Sequence, residues 1–330
     1  MKTAIHLLNT LKRGGGENVA FNYAKVLEDL DIKSVFVAKP QDYEYEEMLR
    51  SNNIVIEYAL SNHTINKADY IFVHSNINLL KLIPYKLFGK LKGKRIIYLQ
   101  HLLFSEIKFR ILAFLINHIC SDFFLITPRT TAVVNKYIKI PIHQIINFYN
   151  AKYDKKDYLS IRKSVRNKLG IDYNEKIIVF SAIFKPGKGL KDCLTLAQML
   201  NTDKQIKFLI LGDGVERYLV DQYKFENIIP IGCVNDVERY LIASDIYLFT
   251  SSLPEMLPMA LVEAINTDKH ILAYDTTINK FLLHNKTFDN LNTMIDAIKN
   301  NTIPSGFKYY DKTYALNRFK SILFNDNELE

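Results

Sequence analysis

Strand-like and helix-like patterns alternate along this 330-residue chain twice over, and that alternation limits the fold more than any single residue does. In the first half Ala4–Leu8, Ser34–Ala38, Tyr70–Val73, Arg95–Leu99 and Phe123–Ile126 read as strands, with a helical pattern over Glu17–Leu30. In the second half Lys176–Ile183, Lys207–Leu211, Ile228–Ile231, Ile246–Thr250 and His270–Ala273 read as strands. Helical patterns over Leu190–Leu200, Val215–Tyr223, Val237–Ile242 and Pro258–Ile265 separate them. Strands that alternate with helices return in the same direction, so the pattern predicts parallel sheets with right-handed crossovers. Runs such as Ile177–Phe180 carry no polar alternation and suit sheets covered on both faces.

A chain this long outgrows a single core, so two domains are expected. The charged run Lys152–Asp157 reads as the linker between them, and Lys312–Phe324 as a terminal helix. The expected architecture is α/β: two Rossmann-like domains, 1–155 and 156–310, facing a cleft, followed by a tail over 311–330. A ligand is expected in that cleft, at the carboxyl ends of the strands.

Charge is unevenly placed. Of the formal net charge of +8, residues 1–150 hold +7. Between Leu79 and Phe114, Lys81, Lys86, Lys90, Lys92, Lys94, Arg95, Lys108 and Arg110 face a single acid, Glu106, with Tyr85, Phe88 and Phe104 interleaved. Such a segment suits an anionic membrane surface; a solvated face on a lysine-rich protein explains it equally well. No nucleic-acid motif accompanies the charge. The three cysteines lie far apart and the eight histidines show no zinc spacing, so neither a disulfide framework nor a metal site is expected. The first residues run straight into a strand pattern without a signal-peptide core, and charges interrupt the longest apolar runs, which points to the cytoplasm.

The most specific local pattern is Ser251–Ala264. It joins a buried strand to a helix, with Pro258 at the expected first helical position. Glu255 lies in the loop and Glu263 in the helix, and the N–H groups of Met256, Leu257 and Met259 are expected to face an anion. Glu263 stands among Leu261, Val262, Ala264 and Ile265, a setting that an unpartnered surface glutamate rarely occupies. Carboxylates for hydroxyls together with N–H groups for a phosphate suit a nucleotide-sugar. Three further loops follow strands. Lys12–Ala20 carries Gly14, Gly15 and Gly16 ahead of Glu17; as a dinucleotide fingerprint it fails, because Val19 stands at the third glycine position. Ser181–Gly189 carries Lys185 and Lys188, and a lysine just before a helix can neutralise a leaving diphosphate. Gly212–Gly214 and Gly232–Val237 each end a strand in small residues.

In this order the loops resemble those of GT-B glycosyltransferases, family 4 in particular: paired glycines with an acid (Gly14, Gly15, Glu17), a Lys-Gly loop (Lys188, Gly189) and the Glu-x7-Glu element (Glu255, Glu263). The resemblance spans Gly14 to about Asp275. It implies a retaining transfer from a nucleotide-diphosphate sugar, UDP-linked by preference, without a metal or other cofactor. By resemblance Glu263 holds the ribose, Glu255 the transferred sugar, and Val234 lies where the backbone faces the base. Gly15, Gly16, Lys185, Lys188, Met256, Leu257, Pro258 and Met259 then surround the diphosphate. His101, just after a strand, matches a histidine near the reacting centre, and His74 the acceptor side. His6, inside the first strand, reads as core. The resemblance also implies that the terminal helix crosses back to the first domain. One departure stands out: Ala182 and Ile183 occupy the family's Gly-Arg positions, so the usual diphosphate arginine is missing.

The expected role is assembly of a bacterial surface polysaccharide, capsule or lipopolysaccharide, on a glycan or lipid-linked acceptor, in the cytoplasm or at the inner face of the membrane. Two other readings stay open. One is a sugar-nucleotide epimerase of related fold, and the other a non-catalytic nucleotide-sugar-binding partner of a transferase.

Overall fold

The structure is a computed structural model that describes residues 1–12, 15–100 and 105–324. The chain divides into two compact units, one formed by Met1–Phe148 with the chain from Lys312, the other by Tyr149–Asp311.

The first unit holds seven parallel strands: β1 (Lys2–Leu11), β2 (Ile32–Pro40), β3 (Val55–Glu57), β4 (Tyr70–Val73), β5 (Arg95–Leu99), β6 (Asp122–Leu125) and β7 (Ile142–Gln144), in the order β3-β2-β1-β4-β5-β6-β7. Side chains on a strand alternate between faces, so each strand feeds two cores. Ile5, Leu7, Val35, Val37, Ile71 and Val73 face one core, closed by Phe109, Leu112 and Ile116 of the Glu106–Ile119 helix. The opposite side gathers His6, Phe36, Phe72 and Phe124 with Tyr23 and Phe319, whose rings lie 4.9 Å apart, edge to face. Phe319 belongs to the Lys312–Leu323 helix, so that terminal helix completes the first unit's core. A second tie is polar: Arg95 forks onto Asp122 at 2.7 and 2.8 Å and donates to the Ile322 carbonyl at 2.5 Å.

The second unit holds five parallel strands: β8 (Lys176–Ser181), β9 (Ile206–Leu211), β10 (Ile228–Gly232), β11 (Ile246–Phe249) and β12 (His270–Ala273), ordered β10-β9-β8-β11-β12. Ile178, Phe180, Phe208, Ile210 and Leu248 meet Leu194 and Ala197 of the Leu190–Met199 helix and Met294 and Ile298 of the Leu291–Lys299 helix.

The division of the chain differs from the boundaries expected at 155 and 310. Residues 149–157 are not a free linker. The Tyr149 N–H donates to the Tyr310 carbonyl at 2.8 Å, the Lys152 N–H to Glu238 at 2.9 Å, and the Tyr153 hydroxyl to Asp236 at 2.5 Å. Two charges in the run are also ion-paired, Lys155 with Asp268 and Lys152 with Asp236. The run therefore lies on the second unit and leads into a helix over Tyr158–Leu169.

Candidate functional site

The carboxyl edge of the second sheet is built from three interlocked loops, after β8, β9 and β11. The Phe184 N–H donates to the Asp213 carbonyl at 2.8 Å, and the Glu216 N–H to the Phe184 carbonyl at 3.1 Å, which fastens the first loop to the second. The Ser252 N–H donates to the Gly187 carbonyl at 2.9 Å, and Thr250 Oγ1 to the Gly189 carbonyl at 2.8 Å, which fastens it to the third. Two glycines are required here by space as well as by backbone angle. Gly189 has φ +88° and Gly212 φ +130°; a Cβ on Gly189 would overlap the Thr250 backbone, and one on Gly212 the Ala182 carbonyl.

This framework holds Lys188 against Glu255. Lys188 Nζ lies 2.8 Å from Glu255 Oε1, and Ser251 Oγ donates to the same oxygen at 2.9 Å. The side chains are only 23% and 17% exposed, so solvent screens the pair less than an ordinary surface bridge. The following helix begins at Met259, one residue later than expected. Pro258 is its N-cap, with ψ 101° in the extended region, and its carbonyl accepts from Leu261 and Val262 at 3.0 and 3.2 Å. Pro258 has no N–H to leave unsatisfied, and the helix opens with the N–H groups of Met259 and Ala260, which lack intrahelical acceptors.

Glu263 follows in the same helix, half-buried. Burial raises its carboxyl to about 7; the charge of Glu238 raises it further and that of Lys152 opposes. Glu238 is itself only 2% exposed and accepts from the Lys152 N–H. The Tyr149 phenol is pushed up by burial, then by its bond to Glu238, and further by the charges of Glu238 and Glu263. The phenol of the fully buried Tyr247 of β11 is pushed up by burial, then by the charges of Glu263 and Glu255.

The edge thus brings together Lys188, Glu255 and Glu263 in the neighbourhood of Met256, Leu257, Pro258 and Met259. Lys185 is exposed. Val234 lines a pocket of about 300 Å3 with Lys168, Arg239 and Tyr240, beside the Tyr158–Leu169 helix. Sequence reasoning missed Ser251, Glu238 and Tyr149. Ser251 opens the motif but was given no role there; Glu238 and Tyr149 lie far away in sequence and meet Glu263 only through the fold.

In the first unit, Gly15 and Gly16 open the Gly15–Glu28 helix. Gly16, Asn9, His74, Asn76 and Tyr98 line a pocket of about 360 Å3 at the sheet's carboxyl edge. His74 is buried, with Nε2 3.1 Å from His6 Nδ1. His6 is wholly buried and stacked 4.9 Å from Phe72; burial lowers it to about 3, so it is neutral. It lies in the core as expected, but its Nε2 has no hydrogen-bond partner. His101 and Gly14 lie outside the described residues. Among the described residues no cluster of three or more His, Cys, Asp or Glu could hold a metal ion, and no helix is long and apolar enough to cross a membrane.

Comparison with known proteins agrees with this geometry. Residues 161–287 match the family model of the glycosyl transferases group 1. That stretch contains Lys188, Glu255 and Glu263. Among solved structures, HepE of Anabaena in complex with UDP is similar with a TM-score of 0.77 and 17% identity, over 98% of this chain and 99% of that one. TarM of S. aureus, in a complex that includes UDP, gives a TM-score of 0.64 at 12% identity over 98% and 97%. WaaG, a glycosyltransferase involved in lipopolysaccharide biosynthesis, gives 0.60 at 13% over 98% and 96%. At these identities the likeness speaks for the fold, which is GT-B. No functionally curated protein matches the chain significantly.

Proposed function

We propose that the chain is a retaining, metal-independent glycosyltransferase of family 4 that moves a sugar from a nucleotide-diphosphate sugar, UDP-linked by preference, to a glycan or lipid-linked acceptor in bacterial surface-polysaccharide synthesis. The observation that carries this reading is the Lys188–Glu255 pair at the mouth of a helix that also holds Glu263. Lys188 and the N–H groups of Met259 and Ala260 stabilise the departing diphosphate, as a point charge and as aligned dipoles. Glu255 keeps the ammonium in place when the site is empty and accepts sugar hydroxyls when it is filled. Glu263 accepts the ribose hydroxyls, and Lys185 adds a second, mobile cation. The acceptor binds the first unit, where His74 lines the pocket and His101 is the candidate beside the reacting centre. The acceptor proton passes to the departing phosphate, so no side chain acts as a strong base. HepE structures with UDP and with UDP-glucose, and the part of WaaG in lipopolysaccharide biosynthesis, support the choice of donor and of pathway class.

One observation favours a second reading. Ile183, where the resemblance has an arginine, is 67% exposed beside the proposed diphosphate site. A partner subunit that binds nucleotide-sugars without turning them over would tolerate that change. Release of UDP from UDP-sugars in the presence of a chelator decides between the two. The transferase reading predicts turnover that the chelator leaves intact, with the donor's anomeric configuration kept in the product, and a loss of roughly a hundredfold in Lys188→Met. Intact nucleotide binding without release from any nucleotide-sugar would favour the partner.

A further inference from the structure

The first unit carries three neighbouring helices with apolar residues turned to solvent. The inner face of Glu106–Ile119 buries Phe109, Leu112, Ala113, Ile116 and Ile119. Its outer face exposes Ile107 (77%), Ile111 (67%) and Phe114 (63%), at spacings of four and three residues, which is one continuous helical stripe. The Asn76–Lys81 helix contacts Glu106–Ile119 on one side and Ile83–Leu87 on the other. It buries Leu79 and exposes Ile77 and Leu80. The Ile83–Leu87 helix ends in Leu87 and Phe88, both 79% exposed, followed by a turn at Gly89. A helix that has already covered its core face gains nothing from a second apolar stripe in water, and large exposed apolar patches mark interaction surfaces.

The charges around the stripe select the occupant. Lys86, Lys90, Lys92, Lys108 and Arg110 are all exposed along these segments. The acid among them, Glu106, is already engaged by Lys136 and Tyr137, at 2.5 and 2.6 Å. Two copies of this face brought together would oppose cation to cation. An anionic bilayer presents the opposite charge together with an apolar interior, and fits both halves of the pattern. Lys94 is not part of the surface: its ammonium is held by the Ala68 and Asn66 carbonyls at 2.7 and 3.2 Å.

We propose that the outer faces of these three helices dock the first unit on an anionic bilayer, with Leu87, Phe88, Ile107, Ile111 and Phe114 inserted among the acyl chains and the lysines at the headgroups. Ile77 belongs both to this surface and to the lining of the pocket that contains His74. Docking therefore brings this pocket next to the membrane surface, within reach of a sugar whose lipid anchor stays in the leaflet. This deepens the proposed function by narrowing its acceptor to a lipid-anchored one; the docking itself does not depend on transferase activity.

Sedimentation with phosphatidylglycerol–phosphatidylcholine vesicles tests it, using the full chain without donor. The wild type should pellet with these vesicles and not with pure phosphatidylcholine, and salt should weaken the binding without abolishing it. Phe88→Ser with Ile111→Ser should lower partitioning by roughly tenfold or more, since each side chain loses its apolar burial. Lys90→Ser with Lys92→Ser should lower it at low salt only. An unchanged melting temperature shows that each variant is folded. Wild-type protein that stays in the supernatant, or an apolar variant that pellets like wild type, would overturn the proposal. So would a wild-type dimer that this variant turns into monomer with pelleting unaltered, because the surface would then serve self-association. UDP release is read separately, so loss of the transferase reading and loss of the docking surface are distinct results.

Discussion

Glu263 carries a stability cost at the position where the proposed function places the ribose. Its carboxyl titrates near 7 in the folded chain, against 4.5 ordinarily, because burial and Glu238 disfavour the charge. A raised carboxyl favours the fold while it is protonated. Its contribution is fully present below about pH 4.5 and is lost as pH rises through 7. The loss is about 2 kcal/mol once residual exposure is allowed for. Glu263→Gln should therefore melt higher than wild type at pH 8 and like wild type at pH 4. Equal melting temperatures at both values would show that the carboxyl is ordinary. The sequence marks Glu263 through its apolar neighbours Leu261, Val262, Ala264 and Ile265. Glu238 and Tyr149, which set its titration, are unmarked, because nothing local connects positions so far apart.

Among the elements, strands of four residues or more were legible because each holds an uninterrupted apolar run. Tyr70–Val73, Arg95–Leu99 and His270–Ala273 coincide with β4, β5 and β12 to the residue. The three-residue edge strands β3 and β7 carry too little pattern to be read, and the Glu106–Ile119 helix was read only as part of a basic, apolar-rich segment. The loops show the same division. Lys188-Gly189 is visible as a motif, whereas the interlocking of three loops through backbone bonds has no sequence signal beyond its glycines. That interlocking gives Gly189 its weight. Alanine there must leave φ +88° and displace the Thr250 backbone. Gly189→Ala should cost about 3 kcal/mol or more. The second unit's melting temperature should then fall by roughly 5 °C or more. A variant that melts with wild type would mean that the loop has room the geometry denies.

At the scale of the whole molecule, length and the doubled alternation were enough to announce two α/β units, and the terminal helix packs into the first of them through Ala315, Phe319, Ile322 and Leu323. The exact division was not legible, because the charged run 152–157 looks like a solvated linker and is instead pinned by Glu238, Asp236 and Asp268. Of the formal net charge of +8, residues 1–150 hold +7. Under the proposed function the carboxyl edge of the second sheet binds a nucleoside diphosphate without metal. Calorimetric titration of UDP into the full chain, with a chelator present, tests it most directly. The account predicts saturable binding to the wild type that Glu263→Ala abolishes while its melting temperature stays high enough to show a folded chain. Failure of UDP, GDP, ADP and CMP alike to bind the wild type, or binding that Glu263→Ala leaves unchanged, would contradict it.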